Sequence, residues 1–207
     1  MTPRSLDDLP KLRDAVFVAS GQDYDNLPPP AFVEIAFAGR SNVGKSSLLN
    51  RVMSRRKLVR TSRTPGATRA VNVFRVTLVE PAANIDFVDL PGYGYAKRSK
   101  KERKHWGELI EDFLRQRPGL RAVVVIVDAR RGFEDDDLDF IAWLEEIGKE
   151  PILVATKLDQ LTASERKLAI ARIGDEAGRR VIGFSSETGD GAVELWNRLL
   201  RAAHVKA

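Results

Sequence analysis

The segment GRSNVGKS, Gly39 to Ser46, constrains this chain more than any other, because it fits G-x-x-x-x-G-K-[ST] and lies between two patterns that the motif requires. The apolar run VEIAFA (33–38) before it predicts a strand, and the residues after it, 47–54, predict a helix. In that setting Gly39 and Gly44 let the backbone bend so that amides from Arg40, Ser41, Asn42, Val43 and their neighbours face phosphate oxygens. Lys45 then meets the β and γ charges, and the Ser46 hydroxyl ligates Mg2+. The competing reading is a merely glycine-rich turn, which would need neither the strand nor the helix.

Further apolar, β-rich runs at 70–79, 84–90, 121–129, 151–156 and 180–186 alternate with helical periodicity at 104–115, 134–147, 163–173 and 192–202. With the phosphate-loop motif, this predicts an α/β fold: a three-layer P-loop NTPase with a six-stranded, mostly parallel sheet and helices on both faces. VNVFRVTLV alternates and is followed closely by the next run, so the second and third strands are expected to pair antiparallel. LPPP at 27–30 reads as a stiff link, giving a leader over 1–31 and a single domain over 32–205. Trp106, Trp143 and Trp196 read as packing residues rather than ligand platforms.

Composition narrows the chemistry. The absence of cysteine excludes disulfides, thiolate metal sites and thiol catalysis, and two distant histidines do not suggest a metal cluster, so a metal must be held by oxygens. No apolar run approaches the roughly 18 residues of a membrane span, and the first residues lack a secretory apolar core, so the expected location is the cytoplasm, without a membrane partner. The net charge of +5 favours an anionic partner because it clusters: residues 51–79 contain no acid but eight arginines and lysines. A second basic run, Lys97 to Lys104, is opposed by Glu102 alone. The acids gather in FEDDDLD (133–139), where charge at a helix N-terminus is the simplest account.

Three more strand ends carry candidate ligands. DLPG, Asp89 to Gly92 with Leu90 and Pro91 between, offers a carboxylate for Mg2+ and the Gly92 amide for a γ-phosphate. TKLD, Thr156 to Asp159, offers a carboxylate to the guanine N–H and exocyclic amine, with the Lys157 stem along the base and Leu158 between them. FSS, Phe184 to Ser186 with Ser185 between, offers a backbone amide to the guanine oxygen. Each alone reads equally well as a turn, but ligands in open α/β sheets bind at these strand ends, and the four stand in order.

With TSRTPGATR and DLPGYGYA added, the set resembles the EngB (YihA/YsxC) family of ribosome-biogenesis GTP-binding proteins, of the TRAFAC class, from about Phe17 to the final helix. The resemblance implies a Ras-like G-domain fold, GTP or GDP as ligand, Mg2+ as cofactor, and a GTP-dependent switch in assembly of the 50S ribosomal subunit or its precursor through rRNA, with a link to cell division and septation. It implies Thr68 as a switch threonine ligating Mg2+, with Gly66, Ala67, Arg69 and Ala70 closing over the nucleotide. Tyr93 stands where many GTP hydrolases have a water-orienting glutamine. Related proteins with asparagine at the position of Asn42 seat K+ against the phosphates, so Asn42, Lys45, Thr68 and Gly92 are the candidate catalytic groups and K+ a candidate cofactor.

Two departures stand out: Gln160 follows the aspartate where the family commonly has lysine, and, relative to the wider GTPase pattern, Thr156 replaces an asparagine, which is expected to cost a bond to the phosphate loop. A monomer is expected. The alternatives left open are a non-catalytic, GTP-dependent RNA-assembly module and an ATP-dependent kinase.

Overall fold

The computed structural model describes residues 8–59, 70–92 and 100–205, with the backbone alone for 100–106. Strands β1 (Lys11–Gly21), β2 (Val33–Gly39), β3 (Val71–Glu80), β4 (Ala83–Asp89), β5 (Leu120–Asp128), β6 (Glu150–Thr156) and β7 (Val181–Gly183) form one sheet in the order β1-β3-β4-β2-β5-β6-β7. Five α-helices accompany it among the described residues: α1 (Lys45–Val52), α2 (Lys100–Gln116), α3 (Asp135–Glu146), α4 (Ala163–Ala177) and α5 (Ala192–Ala202). β3 runs antiparallel to β4, as the alternating pattern predicts, while β4, β2, β5, β6 and β7 are mutually parallel.

The layering follows from the two-residue period of a strand. Ile35, Phe37, Val124 and Ile126 turn to the face covered by α1 and α5, where Leu48, Leu49, Trp196 and Leu199 meet them. Ala36, Ala38, Val123 and Val125 turn to the other face, against Phe113 and Leu114 of α2, Ile141 and Leu144 of α3 and Ile173 of α4. Trp196 is buried beside Phe87 at 5.7 Å between ring centroids, and Trp143 packs at the edge of the second core, so both serve as packing residues. The Trp106 side chain lies outside the described residues.

The sheet has seven strands rather than six. The stretch read as part of a leader supplies β1, which pairs antiparallel with β3 from Lys11↔Glu80 to Gly21↔Val71. It escapes a pattern search because it is an edge strand whose neighbouring residues Val16, Phe17 and Val18 are all exposed, so no alternation of apolar and polar residues marks it. β3 remains the one strand that opposes the rest, since β1 reverses direction again.

Register then decides where ligands can bind. Phe37 pairs with Asp89, Gly39 with Ile126 and Asp128 with Thr156, so the carboxyl ends of β2, β4, β5 and β6 finish together on one edge. A buried ion pair fixes the opposite end of β2: Arg117, just past α2, gives Glu34 two bonds of 2.7 and 2.8 Å, with both side chains almost wholly enclosed.

Candidate nucleotide site

The phosphate loop occupies the turn between β2 and α1. Gly39 is required by proximity, because a Cβ there would lie 2.6 Å from the Ile126 carbonyl oxygen. Gly44 is required by conformation, with φ of +100° at the residue that opens α1. Asn42 takes a left-handed φ of 68° without being glycine. Val43 turns its side chain into the core, while Ser41 and Ser46 are half-buried and Asn42 is exposed.

Lys45 Nζ forms an ion pair with Asp89 Oδ1, both side chains being buried. The cation meant for phosphate and the carboxylate meant for a metal thus meet at one point. Leu90 and Pro91 are buried after Asp89, and the Leu90 amide donates to the Phe37 carbonyl at 3.1 Å. Gly92 then comes so close to the phosphate loop that a Cβ there would lie 3.2 Å from Ser41 Oγ. The donor chemistry suits Mg2+: one buried carboxylate, one hydroxyl at Ser46, and no cluster of three metal-binding side chains among the described residues. A hard cation held so sparsely completes its shell with water and phosphate oxygens.

The base-recognition loop is bonded directly to the phosphate loop. Thr156 Oγ1 donates to the Val43 carbonyl, with the Val127 carbonyl 2.9 Å away as a second acceptor. This overturns the expectation that threonine at 156 forfeits the link: its hydroxyl reaches Val43 because β6 ends directly beside the loop. Lys157, in a left-handed φ of 63°, donates from Nζ to the Asn42 carbonyl at 2.7 Å.

Leu158 and Phe184 pack inward, so only their backbone can face a ligand. Ser185, wholly buried, donates from Oγ to Asp159 Oδ1 at 2.6 Å and accepts the Glu187 and Thr188 amides at 3.2 Å. Ser185 therefore orients Asp159, and the half-exposed Ser186 follows it in the same loop.

Gly66, Ala67, Thr68 and Arg69, together with Tyr93, Lys97 and Arg98, lie outside the described residues, as do the side chains of 100–106. Ala70, at the start of the next described segment, accepts a 3.3 Å bond from Asn72 Nδ2.

Two residues have roles that sequence reasoning did not supply. Arg40 turns its guanidinium away from the phosphate loop to the start of α3, reaching Glu134 at 2.9 Å, Asp136 at 3.2 Å and Asp137 at 3.3 Å. Asp137 also accepts the Glu134 amide at 2.9 Å, so the acidic run is a helix cap, as expected, and an anchor for the loop as well. Asp128, at the end of β5, takes Lys157 Nζ at 2.9 Å and the Arg130 side chain through Nε at 2.8 Å. Burial alone would raise its carboxyl, but the bonds from Arg130 and Lys157 outweigh that and hold it well below the usual carboxylate range. The acid closing VVVIVD was a signal of a kind, since an ionised group at the end of a buried strand needs a partner.

The chain matches a family model described as "50S ribosome-binding GTPase" over residues 34–157. It is 43% identical over 192 residues to the probable GTP-binding protein EngB of Desulfatibacillum aliphaticivorans, covering 91% of each chain. It is 46% identical over 177 residues to that of Anaeromyxobacter sp. (strain Fw109-5), covering 82% of each. Among solved structures, a probable GTP-binding protein engB superposes with a TM-score of 0.64 at 24% identity, over 83% of this chain and 99% of that one. Era in complex with MgGDPNP and a 16S ribosomal RNA segment superposes with a TM-score of 0.69 at 25% identity, over 83% of this chain and 56% of that one.

Proposed function

The chain belongs to the EngB family of GTP-binding proteins, and from that premise we propose that it is a slow, Mg2+-dependent GTPase whose nucleotide state governs its contact with the 50S ribosomal subunit or a precursor of it. The observation that carries the nucleotide half is the bonding of Thr156 and Lys157 to the carbonyls of Val43 and Asn42, which makes base loop and phosphate loop one unit. Asp159, held by Ser185, then presents a carboxylate to the guanine N–H and amine, an arrangement of donors that adenine lacks.

In this reading the amides of the phosphate loop and Lys45 bind the β- and γ-phosphates, and Ser46, Asp89 and Thr68 hold the metal. Mg2+, when bound, offsets charge on the phosphate oxygens. The Gly92 amide, beside Ser41, senses the γ-phosphate and sets the posture of the segment beyond it. Tyr93 cannot orient water as glutamine does, so the rate depends on positioning and charge neutralisation. The exposure of the Asn42 side chain supports the reading that this residue helps seat K+. Turnover of about 10⁻⁴ to 10⁻² per second is expected without a partner. Equal rates in KCl and NaCl at matched ionic strength would remove the K+ assignment, and Asn42→Ala should abolish any difference between them.

The partner is proposed from charge and kinship. The basic stretch 51–79 contains the first switch segment and 97–104 follows the start of the second, and phosphate contacts from such stretches supply affinity that falls steeply with salt. Membership of a family of 50S ribosome-binding GTPases supports a ribosomal partner, and the Era structure carries ribosomal RNA on a related fold. We place the protein in the cytoplasm as a monomer, with its effect on cell division and septation following from ribosome supply. No helix among the described residues is long and apolar enough to cross a membrane.

Sedimentation with purified ribosomal subunits tests the proposal. Co-sedimentation with 50S particles under a non-hydrolysable GTP analogue, lost under GDP and weakened by salt, is expected. Equal binding under both nucleotides would favour the alternative, an RNA-assembly module in which GTP is structural.

A further inference from the structure

We infer that Asp128 is a positioning residue of the guanine site, holding Lys157 in a strained conformation that ties the base loop to the phosphate loop. The inference rests on the nucleotide-binding reading above and adds a residue to it.

Lys157 and Asn42 both adopt left-handed backbone conformations without being glycine, with φ of 63° and 68°. Such conformations are unfavourable for residues with a Cβ and persist where surrounding bonds determine them. Here the two strained residues brace each other, because Lys157 Nζ donates to the Asn42 carbonyl at 2.7 Å. The lysine stem crosses the phosphate loop on the way, with Cε 3.8 Å from the place a Cβ would occupy on Gly44.

A lysine ammonium bonded to a carbonyl alone would remain free to swing on its four-carbon stem. Asp128 removes that freedom. Its Oδ2 accepts Lys157 Nζ at 2.9 Å, and the carboxylate is itself immobile: Oδ1 accepts the backbone amide of Arg130 at 3.1 Å and Nε at 2.8 Å, and Oδ2 accepts Nη2 at 2.5 Å. Arg130 is a buttress, approaching from the solvent side.

The backbone locks the same geometry. Asp128 pairs with Thr156 in the β5–β6 register, and the Ala129 amide donates to the Thr156 carbonyl at 2.9 Å. A charge at the end of β5 thus fixes a side chain at the end of β6, which fixes a carbonyl after β2. The lysine stem offered to the purine is set in place before any ligand arrives, so ordering it costs little on binding.

Stopped-flow dissociation of the N-methylanthraniloyl derivative of GDP provides the test. Asp128→Asn and Lys157→Met should each speed dissociation about ten-fold, and the double variant should be no faster than Lys157→Met alone, because both remove one interaction. Arg130→Gln, which loosens the carboxylate without removing it, should speed dissociation by less than Asp128→Asn does. A double variant whose effects multiply, or an Asp128→Asn rate equal to wild type, would overturn the assignment. Should Asp128→Asn fail to fold, reductive methylation of the nucleotide-free wild-type chain decides. Lys157 should react much more slowly than the exposed Lys167, and equal reactivity would refute the restraint. A wild-type chain that does not bind the probe would instead count against the nucleotide site itself.

Discussion

Ser185 Oγ donates a 2.6 Å hydrogen bond to Asp159 Oδ1 from a position with no solvent exposure, so the carboxylate expected to read guanine is held by a residue that cannot itself reach the ligand. The same Oγ accepts two amides of its own loop, which fixes the direction of its proton. Removing the hydroxyl in Ser185→Ala should weaken GDP binding about two- to thirteen-fold, corresponding to roughly 0.5–1.5 kcal/mol for one hydrogen bond. Equilibrium titration with a fluorescent guanine nucleotide checks this, and unchanged affinity would mean that Asp159 needs no such restraint.

Gly92 tests the coupling between nucleotide and switch. A Cβ at this position would sit 3.2 Å from Ser41 Oγ and 3.4 Å from both the Gly39 carbonyl oxygen and the Ser41 amide nitrogen. Gly92→Ala should therefore push residue 92 away from the phosphate loop. GTP turnover should fall about ten-fold or more while GDP affinity stays near wild type, in line with the loss of an interaction made to the γ-phosphate. Equal losses in both would point to damage of the phosphate loop itself.

The Glu34–Arg117 pair tests stability away from the site. Arg117→Met leaves a buried carboxylate without its two bonds and should destabilise the fold by about 3–5 kcal/mol. Changing Glu34→Leu together with Arg117→Met removes both charges and should recover much of that loss. Denaturant unfolding of the single and double variants measures the difference, and equal destabilisation by both would contradict the account.

These features differ in how far the sequence announces them. The phosphate loop was legible because its glycines, lysine and serine fall at fixed spacing within one short segment, Gly39 to Ser46, between two strong periodic patterns. Asp89, Asp159 and Ser185 were legible as ends of apolar runs, although the burial of Ser185 was not, since nothing local distinguishes a serine facing a ligand from one facing a carboxylate. β1 was hidden because an edge strand buries little and shows no alternation around Val16 to Val18. Arg40 and Asp128 were hidden for a different reason: their partners lie 96 and 29 residues away, at Asp136 and Lys157, and such pairing depends on strand register. Thr156 was misread because the expectation came from the residue type and took no account of the distance from β6 to Val43, which decides whether a short hydroxyl reaches.

The titration of Asp128 gives a pH signature. Its carboxyl is held below the ordinary value of 3.8 in the folded chain, so its bonds stabilise the fold above that value and the benefit is lost as pH falls through the lowered one. The difference in thermal midpoint between wild type and Asp128→Asn should stay constant from pH 8 to about pH 5 and shrink only in more acidic solution. A difference that changes between pH 6 and pH 8 would contradict an ionised, fully bonded Asp128.

The central claim is that four strand ends converge on one guanine nucleotide, and base selectivity tests it most directly. In competition against a fluorescent GDP analogue, unlabelled GDP and GTP should displace the probe while ADP and ATP fail at a hundred-fold higher concentration, and Asp159→Asn should shift preference from guanosine to xanthosine diphosphate, whose ring presents an acceptor where guanine has its amine. Displacement by ADP as effective as by GDP, or an Asp159→Asn variant that keeps the wild-type preference, would contradict the account.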